Sequence, residues 1–135
     1  MTQELYQLLH RQTVAVETLE SRLRALELVI AADERRFVAV ALDELESASE
    51  QLSALELTRS LALTAAGMSP DISARELLAG IHDEGDRALL AGVVDRLRQA
   101  SERLEDARER ARTVVGRSAS ELRSRIDAAE RFAAV

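Results

Sequence analysis

His10 and His82 are the only histidines in the chain, and there is no cysteine. Without thiols there is no disulfide, no thiolate metal site and no cysteine nucleophile. His82 is followed by Asp83, Glu84 and Asp86, which carry the atoms a divalent cation takes. A zinc site needs several well-spaced nitrogen or sulfur ligands, and one imidazole among solvated carboxylates falls short of that. A di-iron bundle needs Glu three residues before each His on a helix, but position 7 is Gln and position 79 is Ala. His10 lies beside the seam residue Leu9, where a partly exposed flank position is a plainer account than phosphotransfer. The glycines are scattered with no strand before them, so no phosphate loop is expected. Glu44 and Glu46, and Glu102, Glu105 and Asp106, read as solvated helix faces. Arg108, Arg110 and Arg112 are interleaved with Glu109 and have no aromatic platform for single-stranded nucleic acid. The expectation is therefore a protein with no catalytic residues, no metal and no cofactor.

The elements that must position any site are long helices. The chain has 135 residues, a net charge of -6 and 18 basic residues, every one of them Arg. An acidic chain of mixed sign lacks the basic face that phosphate binding needs, so nucleic acid is not an expected partner. The first residues lack the basic start and apolar run of a secretory signal, and no window approaches the ~20 apolar residues of a membrane span. A cytoplasmic protein without membrane insertion is the expectation. Hydrophobic residues make up 47% of the chain and aromatics only 2%, which suits thin helices packed through Ala and Leu better than a bulky globular core.

Apolar residues recur at alternating steps of three and four. The first stripe is Leu5, Leu9, Gln12, Val16, Leu19, Leu23, Leu26 and Ile30, with Gln12 its only polar member. Such a stripe lies on one helix face and has to be covered by another helix. The second is Val38, Ala41, Leu45, Ala48, Leu52 and Leu55, continuing to Ala62 and Ala66. Arg59 falls on it and is expected to snorkel, with its head at the edge. The two stripes are out of register across residues 31–35, where Asp33 can cap a new helix. This predicts an antiparallel hairpin. Gly67 and Pro70 end the second arm, and Ser73 with Glu76 forms a capping box for a short helix. Gly80 and Gly85 predict a loop or kink before a last long helix, whose stripe is Leu90, Val93, Leu97, Ala100, Leu104, Ala107, Ala111 and Val114. At Gly116 the stripe slips by one residue to Val115, Ala119, Leu122, Ile126, Ala129 and Ala133. A one-residue slip is expected to turn the apolar face by about 100° toward a different partner. The predicted fold is all-α, an elongated bundle of a long antiparallel helical hairpin plus a third long helix. It forms a single helical domain with helices at about 3–31, 35–66, 74–80 and 86–133.

The heptad helix Leu5–Ile30, the short acidic joint 31–37, and the leucine-and-charge run Leu45, Leu52, Leu55, Glu56, Arg59 and Leu61 leading into Gly67 and Met68 together resemble the FlgN family of flagellar type III export chaperones. The resemblance covers nearly the whole chain. It implies a cytoplasmic chaperone that binds the terminal helical segments of flagellar hook-filament junction proteins, the hook-associated proteins, and keeps them unassociated before they reach the export gate, itself a further implied partner. It also implies client binding in the C-terminal helical region, where the slip at Gly116 lies. On this reading Val115, Leu122, Ile126 and Phe132 are the expected contacts, and Arg123, Arg125 and Arg131 pair with acidic rims on the client. The alternative that the stripes leave open is a self-associating coiled-coil scaffold or adaptor, such as a homodimer, in which the same residues pack against a second copy.

Overall fold

The computed structural model describes the backbone of residues 2–133 and the side chains of residues 2–131. The fold is all-α. It comprises α1 (Thr2–Ala31), a 3-10 turn (Arg35–Phe37), α2 (Val38–Ala65), α3 (Ala74–Ala79) and α4 (Glu84–Ala133), with no strand among the described residues.

Cross-helix pairs fix the directions. Arg22 meets Glu44 at 3.3 Å and Gln12 meets Arg59 at 2.9 Å, so α1 and α2 are antiparallel. Glu20 meets Arg103 at 3.6 Å and Glu27 meets Arg110 at 3.8 Å, the same 83-residue offset, so α4 rises parallel to α1. At that offset Ala31, the last residue of α1, lies level with Val114. No Cα of α2 comes within 8 Å of a Cα of α4 among the described residues. The middle helix is therefore α1, which buries Thr13 and Ala15 beside its expected stripe because it has a neighbour on either side.

The core of this three-helix layer falls into two clusters, with half-buried Leu97 packed against both. Its middle section packs Val16, Leu19 and Leu23 of α1 against Ala48 and Leu52 of α2 and Ala100, Leu104, Ala107 and Ala111 of α4. At the base, Leu5, Leu9, Leu63, Leu90 and Val93 are covered by Met68, Ile72, Leu77 and Ile81. Burial removes apolar area worth roughly 25 cal/mol per Å², and Leu90 and Val93 are completely enclosed.

The second stripe departs from expectation at its end. Ala62 and Ala66 are exposed and Leu63 is buried in their place. A straight α-helix drifts about 20° per heptad against a strict seven-residue repeat, so after three heptads the inward position has moved by one residue. Leu63 then meets Met68 across the helix end, where Gly67 takes φ 79° and the Met68 N–H donates to the Leu63 carbonyl at 2.9 Å. This is the Schellman closure with its usual apolar contact.

Asp33 closes α1 in the same way. Its φ is 55°, its N–H donates to the Ile30 carbonyl at 3.1 Å, and the Glu34 N–H donates to the Val29 carbonyl at 3.1 Å. Asp33 thus ends the first arm and does not cap the second, because a short polar side chain tolerates the left-handed position that terminates a helix. The second arm begins through the 3-10 turn, and neither Glu34 before the turn nor Phe37 at the start of α2 offers a side-chain cap.

The two polar interruptions of the stripes are partners. Arg59 is half-buried, and its Nη1 donates to Oε1 of buried Gln12. No buried side-chain nitrogen or oxygen is left unpaired among the described residues. In the segments before α4, Ser73 accepts the Glu76 N–H at 3.1 Å and caps α3. Asp83 accepts the Asp86 N–H at 2.9 Å, which starts α4 two residues earlier than its stripe suggests and carries Gly85 inside the first turn.

Candidate functional site

Neither histidine belongs to a cluster of possible metal ligands among the described residues. His10 is half-buried, its ring stacked on Tyr6 one turn earlier with centroids 6.1 Å apart. His82 is exposed in the loop before α4. Among the described residues, no three His, Asp or Glu side chains stand close enough to hold a metal ion, and no helix is long and apolar enough to cross a membrane.

The distinctive surface lies on α4 beyond the level of Val114. Every residue from Val115 to Arg131 is exposed. Val115, Leu122 and Ile126 keep 45%, 49% and 49% of their surface open, while Leu90 to Ala111 on the same helix contribute their seam residues to the core. Arg123 and Arg125 are exposed beside Leu122. The side chain of Phe132 lies outside the described residues.

The slip at Gly116 does not turn the face. The helix runs through Gly116 unbroken, and with 3.6 residues per turn an interval of 18 residues is five whole turns. Leu122 therefore points where Leu104 points, and Val115, about three turns above Leu104, points within roughly 20° of it. The apparent slip is a run of steps of four (Ala107, Ala111, Val115, Ala119) that returns the stripe to the side facing α1. The upper residues are exposed because α1 has ended. Residues 115–131 form an overhang of roughly 25 Å at about 1.5 Å per residue, with an apolar stripe continuous with the core.

At its foot the overhang passes the connection between α1 and α2. Ser118, Glu121, Leu122 and Arg125 face Asp33, Arg35 and Val38 across a cleft of about 310 Å³. Of the expected residues, the structure brings only Leu122 and Arg125 to this cleft, while Val115, Arg123 and Ile126 line the helix around it. Sequence reasoning missed Asp33, Arg35 and Val38, since no local pattern says that α4 runs parallel to α1 and past its end.

Charge pairing is uneven along α4, where Arg87 and Arg96 near its start have no carboxylate within 4.0 Å among the described residues. Arg98, Arg103, Arg108, Arg110 and Arg112 each lie within 4.0 Å of a carboxylate oxygen. Arg117, Arg123 and Arg125 reach none at that distance among the described residues. Beyond Val114 the helix thus carries an exposed apolar stripe with Arg117, Arg123 and Arg125 beside it.

No family model, no curated protein and no solved structure matches the chain.

Proposed function

We propose that the chain is a non-enzymatic helix-binding chaperone of the kind its resemblance to the FlgN family implies. In this reading it acts in the cytoplasm on the terminal helical segments of hook-filament junction proteins, which it keeps unassociated before secretion. The observation that carries the reading is that one continuous face of α4 is buried from Leu90 to Ala111 and open at Val115, Leu122 and Ile126. A client helix lying on that face takes the place that α1 leaves vacant and completes the helix pair. This is helix-in-groove recognition, with apolar anchors at helical spacing and charged rims. A client segment shielded in this way cannot use its apolar stripe to associate with its own copies.

The test is capture of the purified junction protein from the same genome by the full chain and by a chain truncated after Gly116. The proposal predicts capture by the full chain and loss of capture on truncation. Equal capture by both would move the site to the hairpin, and capture by neither would remove the chaperone reading.

A further inference from the structure

The overhang faces two candidate partners, a helix of another protein or the overhang of a second copy, and the structure discriminates between them. We infer that it is built to refuse its own copy and to accept a foreign amphipathic helix whose seam is flanked by carboxylates. This rests on the reading of α4 as a helix-binding face.

A second copy can approach in two orientations. In the parallel one, the two overhangs pair side by side about an axis along the helices. The seam of the overhang points to the same side as the seam below Val114, which α1 fills. A parallel α4 from a second copy would have to carry its residues 84–114 through the space that α1 occupies. That orientation is closed by the body of the molecule.

The antiparallel orientation is open sterically, since the second helix then runs away from the body. In antiparallel helix pairs the two kinds of seam position pack against each other. Here Leu122 would meet Ile126 of the second copy and Ala119 would meet its Ala129, with the two-fold axis between residues 122 and 126. The positions flanking the seam then face their own equivalents, and the residues nearest the axis are Arg123 and Arg125. Arg123 is set against Arg123 of the second copy, and Arg125 against Arg125. Neither guanidinium has a carboxylate within 4.0 Å among the described residues, and Glu121 and Asp127, one turn from Arg125 and Arg123 on the same helix, offset only part of their charge. Like charges at both flanks of a short helix pair oppose association and set partner choice. The same arginines attract a helix that carries Glu or Asp at its flanking positions, which also speeds the encounter.

The length of the shelf bounds the partner. An uncovered stripe of roughly 25 Å holds about five helical turns, and the cleft walled by Asp33, Arg35 and Val38 receives the end that abuts the hairpin.

The experiment uses the full chain, a full-length R123E/R125E variant and two synthetic peptides with the same leucine seam, one with Glu and one with Lys at the flanks. Sedimentation velocity of each protein alone is expected to show no dimer that depends on Leu122. An equimolar mixture of wild type and R123E/R125E is expected to form a one-to-one complex, because arginine then faces glutamate at both flanks, and Leu122→Glu in either chain is expected to abolish it. The Glu-flanked peptide is expected to bind wild type about tenfold or more tighter than the Lys-flanked one, with the preference shrinking at high salt and reversing in R123E/R125E. A wild-type homodimer lost on Leu122→Glu, a mixture that stays monomeric, or equal binding of both peptides would each overturn the inference. Binding of the Glu-flanked peptide without capture of the junction protein would leave the inference standing and reject the flagellar client.

Discussion

The two parts of α4, below and above Val114, have the same periodicity and point their apolar residues to the same side, yet one is core and the other is surface. Leu104 keeps 5% of its surface and Leu122, five turns further along, keeps 49%. The difference lies in α1, which accompanies the lower part and stops at Ala31. Burial of a stripe is decided by the length of its neighbour as much as by the stripe itself. The arginines divide less cleanly, since Arg98, Arg103, Arg108, Arg110 and Arg112 lie near carboxylates of α1 or α4 while Arg87 and Arg96 of the same lower part do not.

The comparison is broken or sharpened first by equal truncations on either side of the divide. Leu90→Ala is expected to cost about 2–5 kcal/mol of unfolding free energy, because it opens a cavity in an enclosed site. Leu122→Ala is expected to stay within about 0.5 kcal/mol of wild type. Denaturant titration followed by circular dichroism measures both, and a comparable loss at Leu122 would mean that the overhang packs on its own body.

Next in size is the polar pair that locks the covered side. Gln12→Leu leaves the Arg59 guanidinium without its acceptor inside the α1–α2 seam and is expected to cost about 1–3 kcal/mol. The double variant Gln12→Leu with Arg59→Leu is expected to recover most of that loss, since a well-packed apolar pair has no desolvated charge to satisfy. A double variant as unstable as the single one would show that the pair is needed for more than its mutual hydrogen bond.

A smaller effect separates local from global stability. An added methyl at Gly116 meets nothing within 4 Å, so Gly116→Ala is expected to favour the helix by up to about 1 kcal/mol locally. Slower amide exchange around residue 116 with an unchanged unfolding midpoint would place the overhang outside the cooperative core, whereas a shifted midpoint would join it to the core.

The smallest expected effect is at the arginines. Arg103→Ala, which loses a surface pair with Glu20, is expected to cost at most about 1 kcal/mol. Arg123→Ala is expected to leave stability unchanged and to weaken client capture, as titration calorimetry and a binding assay would show.

Much of the fold is legible in the sequence, because a stripe states its own face. The three long helices, the breaks at Gly67 and Gly80, and the buried set on α4 all follow from spacing. What a stripe does not state is what lies opposite. The hydrogen bond of Arg59 depends on Gln12 of another helix. The exchange of Ala62 for Leu63 depends on helical drift accumulated over three heptads. Asp33 reads as a cap because the left-handed closure it makes is one that glycine usually marks. Of the residues expected to meet a client, Val115, Leu122 and Ile126 are among the large apolar side chains left open, as are Leu28, Leu57 and Leu61 elsewhere. A run of steps of four resembles a turn of the face in the sequence, and the straight helix together with the end of α1 accounts for the exposure instead.

Hydrogen exchange along α4, with and without the junction protein, tests the central claim most directly. The account predicts slow exchange from Leu90 to Ala111 in both states, and fast exchange from Arg117 to Arg131 that becomes slow when the client is bound. Protection that appears on α2 or nowhere, or an overhang already protected in the free chain, would contradict it.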